Sequence, residues 1–340
     1  METLLLNKDN VGSLIDLDAV QSAVEEGYKA FNSGYVVQPD FLSVVLPNSH
    51  EGIDFKAGLN LGNDCITMKA STGGYDNNPN LGLPTGMNTV LLFDARTSFL
   101  KCIMDGTWIT GCRTAAAGAI SVKYLARTNA ERLCIIGAGK QARRQLLAIS
   151  RVRKLKEVRV WNAGIKALDD YVEEMTKKTG LVIRKFKTVE EAVDGADIIV
   201  TTTRGRRGPI LKKEWVAPGT HIVAVGADMP DKQELSVDLY ENAKVVNDSI
   251  DLCFKNGETH NAVKAGIIKQ PSDIYAEIGE IILKQKNGRE NKNEITIFDT
   301  VGMAIQDNVT AAMLYNAAIE KNRDILFFLL RLFAKLILYI

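Results

Sequence analysis

The stretch Glu131-Arg-Leu-Cys-Ile-Ile-Gly-Ala-Gly-Lys-Gln-Ala142 decides the fold. A short apolar run ends in Gly137-x-Gly139-x-x-Ala142, and a helix-like segment follows. Strand, glycine turn and helix start, in that order, let a backbone approach a dinucleotide pyrophosphate. Gly137 permits the tight turn, Gly139 leaves room for phosphate, and the small Ala142 lets the helix pack close to the strand. The helix N-terminus then offers N–H groups and partial positive charge to an anion. A glycine motif alone is a weak signal, because a turn in an α/β sheet can bind nothing. A second strand-like run, Glu157-Val-Arg-Val-Trp161, strengthens the dinucleotide reading.

Working outward, a βαβ rhythm continues on the C-terminal side. Strands are expected at 132–136, 157–161, 181–186, 196–202, 221–226, 243–247 and 295–298, with helices beginning near 140, 165 and 188. This pattern predicts a doubly wound parallel sheet of the Rossmann type. On the N-terminal side, Asp16 to Phe31 reads as a helix, and strand-like runs lie at 41–46, 64–70, 88–93 and 99–104. That half predicts an α+β domain. Thr110 to Ala126 reads as a helix rich in small residues, and Ala304 to Lys321 as a helix returning to the first domain. The expected organisation is a substrate and dimerisation domain at 1–117, a dinucleotide domain at 118–305, and a C-terminal segment at 306–340.

Bulk properties exclude several classes. A chain of 340 residues suggests two domains. A net charge of +1 gives no hint of nucleic acid. Five scattered cysteines without a C-x-x-C spacing read as reduced thiols, and three distant histidines predict no metal site. The N-terminus lacks a signal-peptide pattern, so a cytoplasmic protein is expected. The apolar run 325–340, broken only by Arg331 and Lys335, is shorter than the roughly 20 residues a membrane span needs. A terminal helix packed on its own domain or on a partner subunit is expected there, with membrane-surface contact as the alternative.

Several residues stand out chemically. Lys69 interrupts an apolar strand-like run and either snorkels to the surface or points into a polar cleft. Arg113 opens the Ala-rich helix, where its fork suits a carboxylate, a phosphate or a plain salt bridge. Asp228 follows a strand ending in Gly226, at the sheet edge where ligands of open α/β sheets lie. Its alternative is a turn cap. Asn162, at the end of the second strand, can bond a ribose hydroxyl but carries no charge. NAD against NADP is therefore open.

The chain resembles the ornithine cyclodeaminase/mu-crystallin family, from about residue 1 to about 320. The residues carrying the resemblance are Met68-Lys69, Asn80-Leu-Gly-Leu-Pro-Thr85, Arg113-Thr-Ala-Ala-Ala117, Gly137-Ala-Gly-Lys-Gln-Ala142, Gly226-Ala-Asp-Met-Pro-Asp-Lys-Gln-Glu-Leu235 and Phe298-Asp-Thr-Val-Gly-Met-Ala-Ile-Gln-Asp307. The resemblance implies a homodimer, a nicotinamide cofactor, and an amino-acid or cyclic-imine substrate. It makes Asp228 the acid that exchanges protons, with Lys69 assisting. It makes Lys69 and Arg113 ligands of the substrate carboxylate, and sets Val301 beside the substrate. Together with the glycine turn, it makes Thr85, Arg113, Gly137, Gly139, Lys140, Gln141, Asn162, Thr202, Val225, Gly226, Lys232 and Thr300 the candidate contacts of NAD or NADP. The leading expectation is ornithine cyclodeamination to proline and ammonia without net redox change. The alternative is a net alanine dehydrogenase or cyclic ketimine reductase, and a non-catalytic NADPH-binding protein comes third. One departure stands out. Family members often carry a basic residue after Gln38-Pro39, where this chain has Asp40-Phe41 and no basic residue before Lys56.

Overall fold

The computed structural model describes residues 2–47, 49, 51–73, 75–321 and 326–327. The chain divides into two compact units, 1–113 with 303–340, and 114–302.

The first unit opens with β1 (Thr3–Leu6), α1 (Lys8–Leu14) and α2 (Leu17–Asn32). Asp16 caps α2 by accepting from the Asp18 and Ala19 N–H groups, which satisfies two of the donors that a helix start leaves over. Then come β2 (Val36–Val37), β3 (Leu42–Val45), β4 (Gly52–Asn60), β5 (Cys65–Gly73), β6 (Asn88–Asp94) and β7 (Leu100–Asp105). Helix α3 (Gly106–Leu125) follows directly. It starts before Thr110 because the Asp105 carboxylate accepts from the Thr107 N–H at 3.0 Å. Arg113 therefore lies inside the helix rather than at its opening.

β1 pairs with β7 in parallel, and the remaining pairings described in this sheet are antiparallel. Along β5, Cys65, Thr67 and Lys69 are buried while Ile66 and Met68 are only partly so. That is the period of two expected of a strand with one packed face. β4 escapes the periodicity reading because Gly52, Asp54, Lys56 and Gly58 share one of its faces and dilute the apolar alternation.

The second unit runs β8 (Arg132–Ile136), α4 (Lys140–Val152), β9 (Glu157–Trp161), α5 (Ile165–Thr179), β10 (Ile183–Lys185), α6 (Val189–Val193), β11 (Ile198–Thr201) and β12 (His221–Ala224). It closes with β13 (Ala243–Asn247), α7 (Ile250–Lys255), α8 (Gly257–Lys264), β14 (Ala276–Glu277), α9 (Ile278–Ile282) and β15 (Ile295–Asp299). All pairings are parallel, in the order β10-β9-β8-β11-β12-β15-β13-β14. The order reverses between β8 and β11, which is where open α/β sheets bind ligands. Continuous apolar runs such as Ile198-Ile-Val200 suit strands covered on both faces.

Helix α10 (Ala304–Glu320) belongs to the first unit and packs against α2, β4 and β5. Gly58 permits this, since a Cβ there would come 3.0 Å from the Ala304 Cβ. β16 (Leu326–Phe327) pairs antiparallel with β1. The rest of the apolar run 325–340, and with it the expected terminal helix or membrane contact, lies outside the described residues. Among the described residues no helix is long and apolar enough to cross a membrane.

The β-sheet core of the second unit sets its stability. Ile199 is fully buried among Cys134, Ala192, Ile222 and other apolar side chains of that core. Ile199→Ala is expected to cost about 2–5 kcal/mol through lost burial and a residual cavity. Denaturant titration checks this, and an unmoved midpoint would contradict the packing described.

Candidate active site

In the second unit the candidate residues gather at the carboxyl ends of neighbouring strands. Gly137 follows β8 with φ +114°, a backbone conformation suited to glycine. A Cβ on it would sit 2.7 Å from the Thr202 Oγ1 at the end of β11. Its N–H donates to the Trp161 carbonyl at 2.8 Å, and the Ala138 N–H donates to Asn162 Oδ1 at 3.2 Å. Asn162 also donates through Nδ2 to the Gly164 carbonyl at 2.9 Å, so its amide holds two loops together. Gly139 is the N-cap of α4, and a Cβ there would meet nothing within 4 Å. Lys140 is exposed in the first turn of α4. The Nε2 of Gln141 is buried and has no hydrogen-bond partner among the described residues. Open space over Gly139, a helix N-terminus and an unsatisfied buried amide fit a pyrophosphate group.

Val225 and Gly226 follow β12, and Thr300 follows β15. A set of buried carboxyl groups holds these loops. Glu234 accepts from the Gly226 N–H at 2.8 Å and the Thr203 N–H at 2.5 Å. Glu258 accepts from the N–H groups of Glu234 and Leu235. Asp248 accepts from the Thr300 hydroxyl at 2.6 Å and the Gly302 N–H at 2.9 Å. Burial pushes the Glu234 carboxyl up, and burial with the charges of Glu234 and Asp299 pushes Glu258 well above the ordinary range. Burial likewise pushes Asp299 up to about 7. Asp228, by contrast, is about half exposed (51%) and forms an ion pair with Lys232 four residues on. It is reachable by a reactant, as a proton carrier must be. Val301 is buried, and a Cβ on Gly257 would sit 2.8 Å from its Cγ1.

In the first unit, Lys69 and Arg113 are brought together by a residue to which the sequence reading assigned no role. Lys69 Nζ lies 2.6 Å from Asp307 Oδ2, and Arg113 Nε lies 3.3 Å from Asp307 Oδ1. The three side chains are 7% exposed or less. Arg113 also donates to Gln306 Oε1 at 2.8 Å, and Gln306 Nε2 donates to the Tyr28 hydroxyl at 2.5 Å. Lys69 thus takes the buried branch of its two readings. Burial pushes its pKa down to about 7, aided by Arg113 and Lys56 and opposed by Asp307. Burial alone would raise Asp307, yet Lys69 and Arg113 bring it below the usual carboxylate range. With Lys69 protonated, two cations face one anion. A ligand carboxylate would neutralise the remaining charge, and would in turn favour the protonated lysine. Thr85 belongs to this unit and is exposed, in the loop between the turn 78–81 and β6.

The sequence matches the ornithine cyclodeaminase/mu-crystallin family over residues 1–322. The chain belongs to that family. It is 39% identical to the alanine dehydrogenase of Archaeoglobus fulgidus over 95% of this chain and 97% of that protein. An archaeal alanine dehydrogenase dimer with bound NAD superposes with a TM-score of 0.91 at 37% identity, covering 97% of this chain and all of that one (100%). The Thermococcus litoralis Δ1-pyrroline-2-carboxylate reductase, solved with NADH and L-proline, gives 0.90 at 33% identity, covering 94% and 98%. A lysine cyclodeaminase structure gives 0.86 at 25% identity, covering 96% and 95%. These likenesses support the dehydrogenase and reductase alternative better than the ornithine cyclodeaminase expectation. The chain is thus a member of an enzyme family with NAD-dependent dehydrogenases and reductases among its relatives.

The Glu234–Glu258 pair predicts a pH dependence. A buried carboxyl with a raised pKa holds its proton in the folded state after the unfolded chain has released it. Its stabilising contribution is complete below its ordinary pKa of 4.5 and is lost as pH rises through the raised value. Glu258→Gln keeps a neutral acceptor for the Leu235 N–H and removes the titration. Melting temperatures from pH 5 to 8 are expected to decline less in the variant than in the parent. Parallel curves would show that Glu258 does not titrate in this way.

Proposed function

We propose that this protein is an NAD-dependent oxidoreductase that interconverts an α-amino acid and its imine with net redox change, as an alanine dehydrogenase or a cyclic ketimine reductase does. The observation that carries this reading is the buried Lys69–Asp307–Arg113 cluster, whose surplus cation suits one carboxylate. The likeness to alanine dehydrogenase and pyrroline-2-carboxylate reductase supplies the direction.

In this reading Lys69 and Arg113 hold the substrate carboxylate and so fix the α-carbon, which turns binding into orientation. Asp307 keeps the Lys69 ammonium aimed and charged. Asp228 takes or returns the proton at the substrate nitrogen or at water, and Lys232 sets its carboxylate. Val301 borders the substrate. The glycine turn at Gly137 and Gly139, with Lys140 and Gln141, would hold the pyrophosphate, and Thr85, Thr202, Val225, Gly226, Lys232 and Thr300 would complete the nucleotide contacts. When bound, the nicotinamide supplies the hydride acceptor or donor. The Asn162 amide is uncharged and is engaged with backbone, so it neither attracts nor repels a 2′-phosphate. NADP therefore stays open beside NAD. Dimerisation is part of the proposal. Tyr35, Val37, Leu42, Val44 and Leu46 are exposed around β2 and β3, an apolar edge that suits burial against a second copy.

The decisive assay follows reduced-nicotinamide absorbance and ammonia together, with L-alanine, pyruvate plus ammonium, Δ1-pyrroline-2-carboxylate and L-ornithine as separate substrates. A lasting absorbance change with an amino acid or imine is expected. Proline and ammonia from ornithine without lasting reduction would overturn the net-redox reading. Asp228→Asn is expected to abolish turnover while nucleotide affinity stays near the parent value, and an active variant would sink the proton-transfer role.

Gly139→Val tests the nucleotide site separately. The turn has space for the side chain, so the fold should persist, but that space is the one assigned to the phosphate. Loss of NADH binding in fluorescence titration is expected, and normal affinity would mean that the nucleotide lies elsewhere.

A further inference from the structure

The basic side chain missing after Gln38-Pro39 has a counterpart one strand away. Lys56 on β4 is the register partner of Lys69 on β5. Directly opposed residues of an antiparallel pair point to the same face with Cβ atoms about 5 Å apart. That face is the one on which α10 begins, because Gly58, two residues on, lies against Ala304. Gln38 reaches the same place, where its Oε1 accepts from the Ile305 N–H at 3.3 Å. Phe41 then supports Lys56, whose Nζ lies 4.8 Å from the ring centroid. The charge of Lys56 reaches the carboxylate-binding cluster, lowering the proton affinities of both Lys69 and Asp307. Asp54, on the same face of β4, engages the Ser43 hydroxyl at 2.5 Å, and Asp40 precedes Phe41 in the chain.

We propose that Lys56 is a specificity-determining residue, whose ammonium beside the Lys69–Asp307–Arg113 cluster admits amino and imino acids with a neutral or anionic side chain and rejects those with a distal ammonium. This rests on the reading that the cluster binds the substrate carboxylate. A substrate held there carries its side chain within a few ångströms of the cluster. Two like charges about 7 Å apart, at an effective dielectric of about 20, repel enough to shift an equilibrium roughly fiftyfold. L-Ornithine and L-norvaline have the same carbon chain and differ by that ammonium. The structure therefore assigns a physical cause to a preference for monoamino substrates over diamino ones.

The test is calorimetric titration of the full-length, NAD-saturated protein with L-norvaline and L-ornithine, for the parent, Lys56→Met, Lys56→Glu and Asp40→Asn. The ratio of dissociation constants is expected to favour norvaline in the parent. It should move toward ornithine by at least about tenfold in Lys56→Glu, with Lys56→Met between them. Circular dichroism and melting temperature establish that each variant is folded. An unchanged ratio in folded Lys56→Glu would overturn the proposal, as would a larger shift in Asp40→Asn than in Lys56→Glu. Failure of the net-redox reading looks different. The parent would then turn over no amino or imino acid to a lasting change in nicotinamide absorbance, whereas the binding ratio reports on Lys56 alone.

Discussion

A lysine ammonium leaves water for a packed sheet face only when an opposite charge is already there to meet it. In the first unit that charge is Asp307, and much of the unit's architecture follows from the need to deliver it. Helix α10 must return to the sheet, Gly58 must be small where α10 begins, and Gln38, Gln306 and Tyr28 must fix the helix start by hydrogen bonds. The result is a cluster with an odd number of charges. Such a cluster is costly when empty and gains from an incoming anion, so its construction is better explained by ligand binding than by stability. A core without it would be cheaper to fold.

The second unit solves a different problem. Its catalytic candidates sit on loops beyond the strand ends, where backbone is least restrained. Buried carboxyl groups restrain them here. Glu234 and Glu258 tie the loop after β12 to that after β11 and to α8, while Asp248 ties Thr300 and Gly302 to the end of β13. Each carboxyl accepts backbone or hydroxyl donors, which is how such groups are tolerated away from water. Asp228 lies apart from these buried carboxyl groups, exposed on the loop after β12 and ion-paired with Lys232 four residues on. The buried groups fix the loops, and the accessible one is the group the proposed function takes as the proton carrier.

Much of this was legible in the sequence because its signals are local. Gly137-x-Gly139, the apolar runs of the parallel strands and the acid after Gly226 all declare themselves within a few residues. Lys69 was visible as an anomaly, a charge in an apolar strand, but its partner was not, since Asp307 sits on a helix from the far end of the chain and looks there like an ordinary first-turn acid. The buried glutamates were hidden for the same reason. Their role depends on the meeting of segments that no periodicity connects. Lys56 was read only as the first basic residue after a gap. β4, with glycine and charged residues on one face, lacked the alternation that would have revealed it as a strand paired with Lys69.

The division of the first unit between the two ends of the chain has a consequence for synthesis. Growing from its N-terminus, the chain completes β4, β5 and then the entire second unit before α10 emerges. Throughout that interval β5 carries an ammonium with no aspartate to receive it, and the face meant for α10 stays wet. Every residue of the second unit is therefore made before α10, whereas the first unit can close only after α10 has left the exit tunnel.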